Sequence, residues 1–316
     1  MKKIAVLYPG QGSHTVGMGH DFYRNFPEAK EVYDLVDYSL KEKLSNIIFS
    51  GNVQNLTVTS NAQPAIMATS LAITNVLRKI TNRSLSEICS FTAGHSLGEY
   101  SALCAGDAIS ISSTAELLRF RGQVMINATK NISGSMYALL GANEEKATQL
   151  CKILSQSGIC EIANDNGAGQ IILSGESKAF TTINNSLKIC LIKKAIKIPV
   201  STPFHCSLMG DATTQMSKKL EEYSFNMPTV KTVANFNALF HRDKDSIASL
   251  LIKQIEGKVR WRESIEKLYN QHECRTFIEI GPGSVLTNLL KRQYTDIKIY
   301  NIQRIADLES FIKKEL

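Results

Sequence analysis

The pentapeptide Gly94-His95-Ser96-Leu97-Gly98 constrains this chain more than any other segment. It is the sequence's only Gly-x-Ser-x-Gly. An apolar run, Ile88-Cys89-Ser90-Phe91-Thr92-Ala93, precedes it and reads as a short buried strand over 88–93. The residues after it, Glu99-Tyr100-Ser101-Ala102-Leu103-Cys104-Ala105, read as the opening of a helix. A strand that passes into a helix through so tight a turn needs glycine on both flanks, where side chains would collide with neighbouring backbone. The serine is then held in a strained conformation with its hydroxyl above the sheet, at the positive end of the helix. In this context the pentapeptide reads as a nucleophile elbow.

A serine hydroxyl is inert near neutral pH without a base. The chain has six histidines: His14, His20, His95, His205, His241 and His272. His95 adjoins Ser96, and at a sharp turn adjacent side chains point in different directions. His20 and His241 have charged neighbours and read as surface residues, and His272 sits in the hydrophilic turn Asn270-Gln271-His272-Glu273. His205 differs. It lies in an apolar segment, 198–206, bracketed by Pro199 and Pro203, whose fixed φ stiffens the loop. The residues alone leave it equally a general base or a buried structural histidine.

At the N-terminus, Ile4-Ala5-Val6-Leu7-Tyr8 reads as a strand leading into Pro9-Gly10-Gln11-Gly12-Ser13-His14. This spacing matches neither a dinucleotide-binding loop nor a Walker loop. It suits the second half of an oxyanion hole, the first half being the backbone N–H of Leu97. A helix is expected over 113–130, capped by Ser112, Ser113 or Thr114. On it Arg121 has Leu117, Leu118, Val124 and Met125 as face neighbours, whereas Arg119 falls on the polar face. A buried guanidinium needs an anion. That anion is either an internal Asp or Glu, or a substrate carboxylate gripped bidentately by the planar fork.

Taken together, these segments resemble the malonyl-CoA–acyl carrier protein transacylases of type II fatty acid synthesis, nearly end to end. The resemblance also runs through Gln63-Pro64-Ala65, Asn166 with Gly169-Gln170, Pro203-Phe204-His205-Cys206, Gln254 with Val259-Arg260-Trp261, and Glu279-Ile280-Gly281-Pro282-Gly283. It implies Ser96 as the acylated nucleophile and His205 as its general base. Arg121 would grip the malonyl carboxylate, and Gln11 and Leu97 would offer N–H groups to the oxyanion. Gln254 would orient His205 through its main-chain carbonyl, and Asn166 would belong to the substrate site. The implied chemistry is ping-pong transfer with malonyl-CoA and acyl carrier protein as partners and no metal or redox cofactor. Two positions depart from the family: His14 stands where Gln is frequent, and Phe204 where a smaller residue is. A Phe before the histidine accompanies malonyl selectivity in related polyketide acyltransferases, so Phe204 implies a narrow pocket.

Rival readings are an acyltransferase of a polyketide or malonate-decarboxylase system, a serine esterase, and a catalytically dead scaffold. An esterase would want a triad acid, for which Asp211 is the candidate. Alternating strand and helix patterns at both ends predict an α/β, hydrolase-like parallel-sheet core over 1–132 plus 200–316. Between them, strands at 135–140, 161–164, 170–174 and 195–198 with helices at 144–156 and 178–188 predict an inserted ferredoxin-like subdomain over 133–199. The seven cysteines form no Cys-x-x-Cys pair and read as reduced, buried thiols of a cytoplasmic protein. After Met1-Lys2-Lys3 the apolar run is too short for secretion, and none approaches the ~20 residues that span a bilayer. The formal charge of +7 is spread along the chain without interleaved aromatics, which excludes a nucleic-acid-binding pattern and leaves a basic rim for anionic partners. A monomer with no bound metal is expected.

Overall fold

The N-terminal strand β1 spans Ile4–Tyr8 and is buried at every position in the computed structural model, which describes residues 3–200 and 202–316. Met1, Lys2 and Ser201, the last within the proline-bracketed segment, lie outside the described residues. Ile4, Val6 and Tyr8 pack into one hydrophobic cluster and Ala5 and Leu7 into another, so both faces of the strand are covered. That is why the run is apolar throughout rather than alternating.

The remaining strands are β2 (Phe91–Gly94), β3 (Gly134–Leu140), β4 (Cys160–Gly167), β5 (Gln170–Glu176), β6 (Lys194–Lys197), β7 (Lys231–Val233), β8 (Thr276–Ile280) and β9 (Lys298–Ile302). Five of them form a wholly parallel sheet in the order β7-β2-β1-β8-β9. The other four form an antiparallel sheet in the order β4-β5-β3-β6. The predicted fold class is therefore the observed one: an α/β parallel-sheet core with a ferredoxin-like βαββαβ unit. The smaller sheet has its own hydrophobic cluster, which includes Leu139, Leu150, Ile171, Leu173 and Phe180. It is stitched to the rest where the backbone N–H of Asp165 donates to Val259 and that of Val259 donates to Ala163.

Three local expectations need correction. Strand β2 begins at Phe91 rather than Ile88, because Ser84 and Glu87 close a capping box that winds Leu85–Ile88 into a helical turn. The helix bearing Arg121 spans Ile111–Ala128, two residues earlier than expected, and is capped by Ser110, whose side chain accepts from the Ser113 N–H. The second helix of the small unit starts as a 3₁₀ turn, Ser177–Thr182, with Ser177 tied to Ser133 and Ser135, and becomes α-helical only over Ile183–Ile189. All seven cysteines are free and buried, as expected. Among the described residues, no helix is long and apolar enough to cross a membrane.

Candidate active site

Ser96 sits between β2 and the helix Leu97–Ala105, with φ 55° and ψ −110°. Such a conformation persists only where its surroundings enforce it. A Cβ on Gly94 would lie 1.8 Å from the Gly98 carbonyl oxygen, and one on Gly98 would lie 2.3 Å from the Tyr8 oxygen. The Asn235 side chain clamps the turn from beyond β7, accepting from the Ser96 N–H at 2.7 Å and donating to the Gly94 carbonyl at 2.7 Å. Gly94→Ala is expected to destabilise the fold by more than the about 1–3 kcal/mol of ordinary overpacking, since it meets backbone that cannot turn aside. An unchanged melting temperature would contradict this reading of the elbow.

The Ser96 hydroxyl lies 2.8 Å from Nε2 of His205. On the far side of the ring, Nδ1 donates to the Gln254 main-chain carbonyl at 2.8 Å. This contact fixes the tautomer and leaves the Nε2 lone pair facing the serine proton, the arrangement a general base needs. The ring ends on a carbonyl rather than an acid. Asp211, the candidate triad acid, is exposed at the start of the helix Gly210–Leu220. Burial, and then the nearby Arg121 cation, push His205 down to about 3 from the ordinary 6.5. It is therefore neutral and ready to accept a proton throughout the physiological range.

Two pH effects follow. Single-turnover acylation should stay level from about pH 8 to about pH 5 and show its acid limb far below the usual histidine range. A limb centred near 6.5 would contradict this assignment. For stability the sign is the reverse of a stabilising ion pair. An unfolded His205 takes up a proton below about 6.5 while the folded ring refuses it down to about 3, so acidification across that window favours unfolding.

Arg121 is 1% exposed, as its apolar helix face predicts. It donates to Gln63 Oε1 at 2.7 Å, to Gln254 Oε1 at 3.0 Å and to the Ser96 hydroxyl at 3.1 Å. All three acceptors are uncharged, and among the described residues no Asp or Glu forms a direct ion pair with it. Glu99 supports the cation through space and through an intervening amide. Gln254 takes the guanidinium on its Oε1 and gives its Nε2–H to Glu99 Oε2 at 2.7 Å.

Ser96, His205 and Arg121 meet at one cavity of about 560 Å³, set beyond the carboxyl ends of β1 and β2 and bordered by Met136, Ala138 and Ile172 of the antiparallel strands, with Gln11, Gln63, Leu97, Asn166 and Phe204 also in its wall. Leu97 opens the helix after Ser96, and Gly10 packs against the His95 carbonyl, which brings the N-terminal turn to the elbow. His95 turns away from the serine, as expected, to bond Asn166 at 2.9 Å and pack on Trp261. Asn166 is in turn held by Gln170 at 3.0 Å. His14 lines the cavity and bonds Thr57 at 3.3 Å. Gln254 is fully buried beneath the serine, joined to His205, Arg121 and the Ser96 carbonyl.

The reading of His241 and His20 as surface residues needs correction. His241 is buried and lies 3.1 Å from Glu99, His20 is half-buried against Phe49, and His272 is half-buried against Phe91 and Phe240. Arg119 lies on the polar face, as its helical neighbours predict, and pairs there with Glu42 and Asn61. Sequence reasoning also missed Asn235 and the clustering of Glu99 with Gln254, since neither has a local pattern that distinguishes it.

A serine on a strand–turn–helix elbow, backed by a histidine and flanked by a buried arginine, is the site of a serine acyltransferase. The family model of the acyl transferase domain matches residues 6–311, and the chain belongs to that family. It is similar to the malonyl CoA-acyl carrier protein transacylase of Bacillus subtilis (strain 168), 40% identical over 314 residues, covering 99% of this chain and 97% of that one. Among solved structures it resembles the acyl-carrier-protein-S-malonyltransferase of Bartonella henselae (TM-score 0.93, 42% identity, 98% of each chain). It also resembles a malonyl-transacylase solved in complex with its type II PKS acyl-carrier protein (TM-score 0.93, 31% identity, 99% of each chain).

Proposed function

We infer that this chain transfers malonyl from malonyl-CoA to the phosphopantetheine thiol of acyl carrier protein, for fatty acid biosynthesis, through a malonyl ester on Ser96. The observation that carries the reading is Arg121, a buried cation 3.1 Å from the serine hydroxyl with only neutral acceptors directly around it. A carboxylate on the acyl group supplies the missing charge, and the guanidinium fork binds it bidentately. This selects a dicarboxylic acyl chain over a simple one.

In the first half-reaction His205 Nε2 takes the Ser96 proton as Oγ attacks the thioester carbonyl. The oxyanion is held by the N–H groups of Gln11 and Leu97. As the C–S bond breaks, the imidazolium returns its proton to the leaving sulfur and CoA departs as a thiol. In the second half the carrier thiol gives its proton to His205 and attacks the malonyl ester, and Ser96 leaves with that proton. Asn166, held between His95 and Gln170, borders the acyl site. Phe204, 8% exposed, narrows the cavity.

The separate hydrophobic cluster of the small sheet supports a division into a core, 1–132 plus 200–316, and an inserted subdomain, 133–199. Seven unpaired, buried thiols support a cytoplasmic location. Radiolabelled malonyl-CoA, incubated with and without the phosphopantetheinylated carrier protein, tests the function. Label should pass to the carrier much faster than to water. Release of free malonate at the same rate with or without carrier would make this an esterase.

A further inference from the structure

We propose that Glu99 is a positioning residue for this reaction: its buried carboxylate holds Gln254 and Asn235 in the orientations that align Ser96, His205 and Arg121. The inference rests on the malonyl-transfer reading above. Glu99 is fully buried one helical turn beyond Ser96, beneath the cavity rather than in its lining. Its Oε2 accepts from Gln254 Nε2 at 2.7 Å and from the Asn235 backbone N–H at 3.0 Å, and its Oε1 accepts from His241 Nε2 at 3.1 Å.

A carboxylate only accepts, and this dictates the direction of every bond around it. The Gln254 amide must turn its NH₂ towards Glu99 and the Ser96 carbonyl, so its oxygen is left facing Arg121. Were the amide reversed, two donors would face each other across the guanidinium. The same residue's main-chain carbonyl aims His205. On the other side, the Asn235 backbone that Glu99 holds carries the side chain that clamps Ser96 and Gly94. One carboxylate therefore fixes the nucleophile's backbone, the arginine's neutral acceptor and the residue that steers the base. None of these contacts involves substrate, so Glu99 acts through its neighbours.

The test is Glu99→Gln, a near-isosteric change that places an NH₂ group among donors. Rapid-quench acylation of Ser96 by malonyl-CoA, expressed per folded molecule, should fall about 10- to 100-fold, as expected for sub-ångström misalignment. The malonyl-CoA concentration at half-saturation should move by less than about threefold. A rate within about threefold of wild type, a loss accounted for by the unfolded fraction, or a shift confined to half-saturation would each overturn the inference. Gln254→Leu keeps the carbonyl that aims His205 but deletes the amide, and it too should slow acylation. Adding Glu99→Gln to it should cost less than Glu99→Gln costs in wild type, because the Gln254 arm is already gone and only the Asn235 arm remains to be lost. Fully multiplicative losses would overturn the relay, and if Glu99→Gln does not fold, wild-type acylation by Gln254→Leu would do so. Wild-type protein that malonyl-CoA fails to acylate would overturn the proposed function and this inference together. An acylated wild type with an unimpaired Glu99→Gln variant would overturn the inference alone.

Discussion

Replacing His205 with alanine should lower malonyl transfer by about 10²- to 10⁴-fold while leaving malonyl-CoA binding nearly unchanged, the usual contribution of a general base. The ring lies 2.8 Å from the serine hydroxyl, and its other nitrogen is taken by the Gln254 carbonyl. Its removal leaves Ser96 protonated at the moment of attack but does not remove Arg121 from the acyl site. His95→Ala is the paired control. His95 bonds Asn166 rather than the serine, so its loss should perturb the cavity wall and cost less rate. A folded His95 variant slower than the His205 variant would mean that the wrong histidine has been assigned the proton.

Arg121→Ala should lower malonyl transfer by roughly two to three orders of magnitude, since truncating one side of a buried, hydrogen-bonded charge pair costs about 2–5 kcal/mol. Acetyl-CoA, with no carboxylate to anchor, should lose far less, so the ratio of malonyl to acetyl transfer is the decisive quantity. Lysine should rescue only in part because it restores the charge without the fork. A second readout is built into the same variant. Arg121 helps hold His205 down, so removing the cation should move the acid limb of acylation up in pH. An unchanged acyl ratio would show that the guanidinium serves only its internal partners, Gln63 and Gln254, and that selection is made elsewhere.

The elbow was legible because its signature is local: Gly94, Ser96 and Gly98 fall within a single strand–helix junction, even though it is the end of β1 that leaves no room for a side chain at Gly98. Arg121 was legible for a similar reason, its four apolar neighbours falling on one face of one helix. The βαββαβ unit followed from local periodicity alone. The network beneath the serine was not legible from local pattern. Asn235 follows an edge strand and Gln254 lies near the end of the helix Lys244–Glu256, and only the tertiary fold brings them to Glu99. His241 misled for the same reason. Its charged sequence neighbours suggest solvent, yet the ring turns inward to a carboxylate that the sequence places far away. For Arg121 neither expected partner described the resting site fully, because an amide relay to a distant acid is invisible to a search for ion pairs.

The most direct measurement is intact-mass analysis and peptide mapping after brief exposure to malonyl-CoA without carrier protein, on wild type and Ser96→Ala. A single malonyl group on Ser96, absent from the alanine variant and discharged when carrier protein is added, is the expected result. Malonyl on a cysteine, or equal labelling of the Ser96→Ala variant, would contradict the serine-ester mechanism.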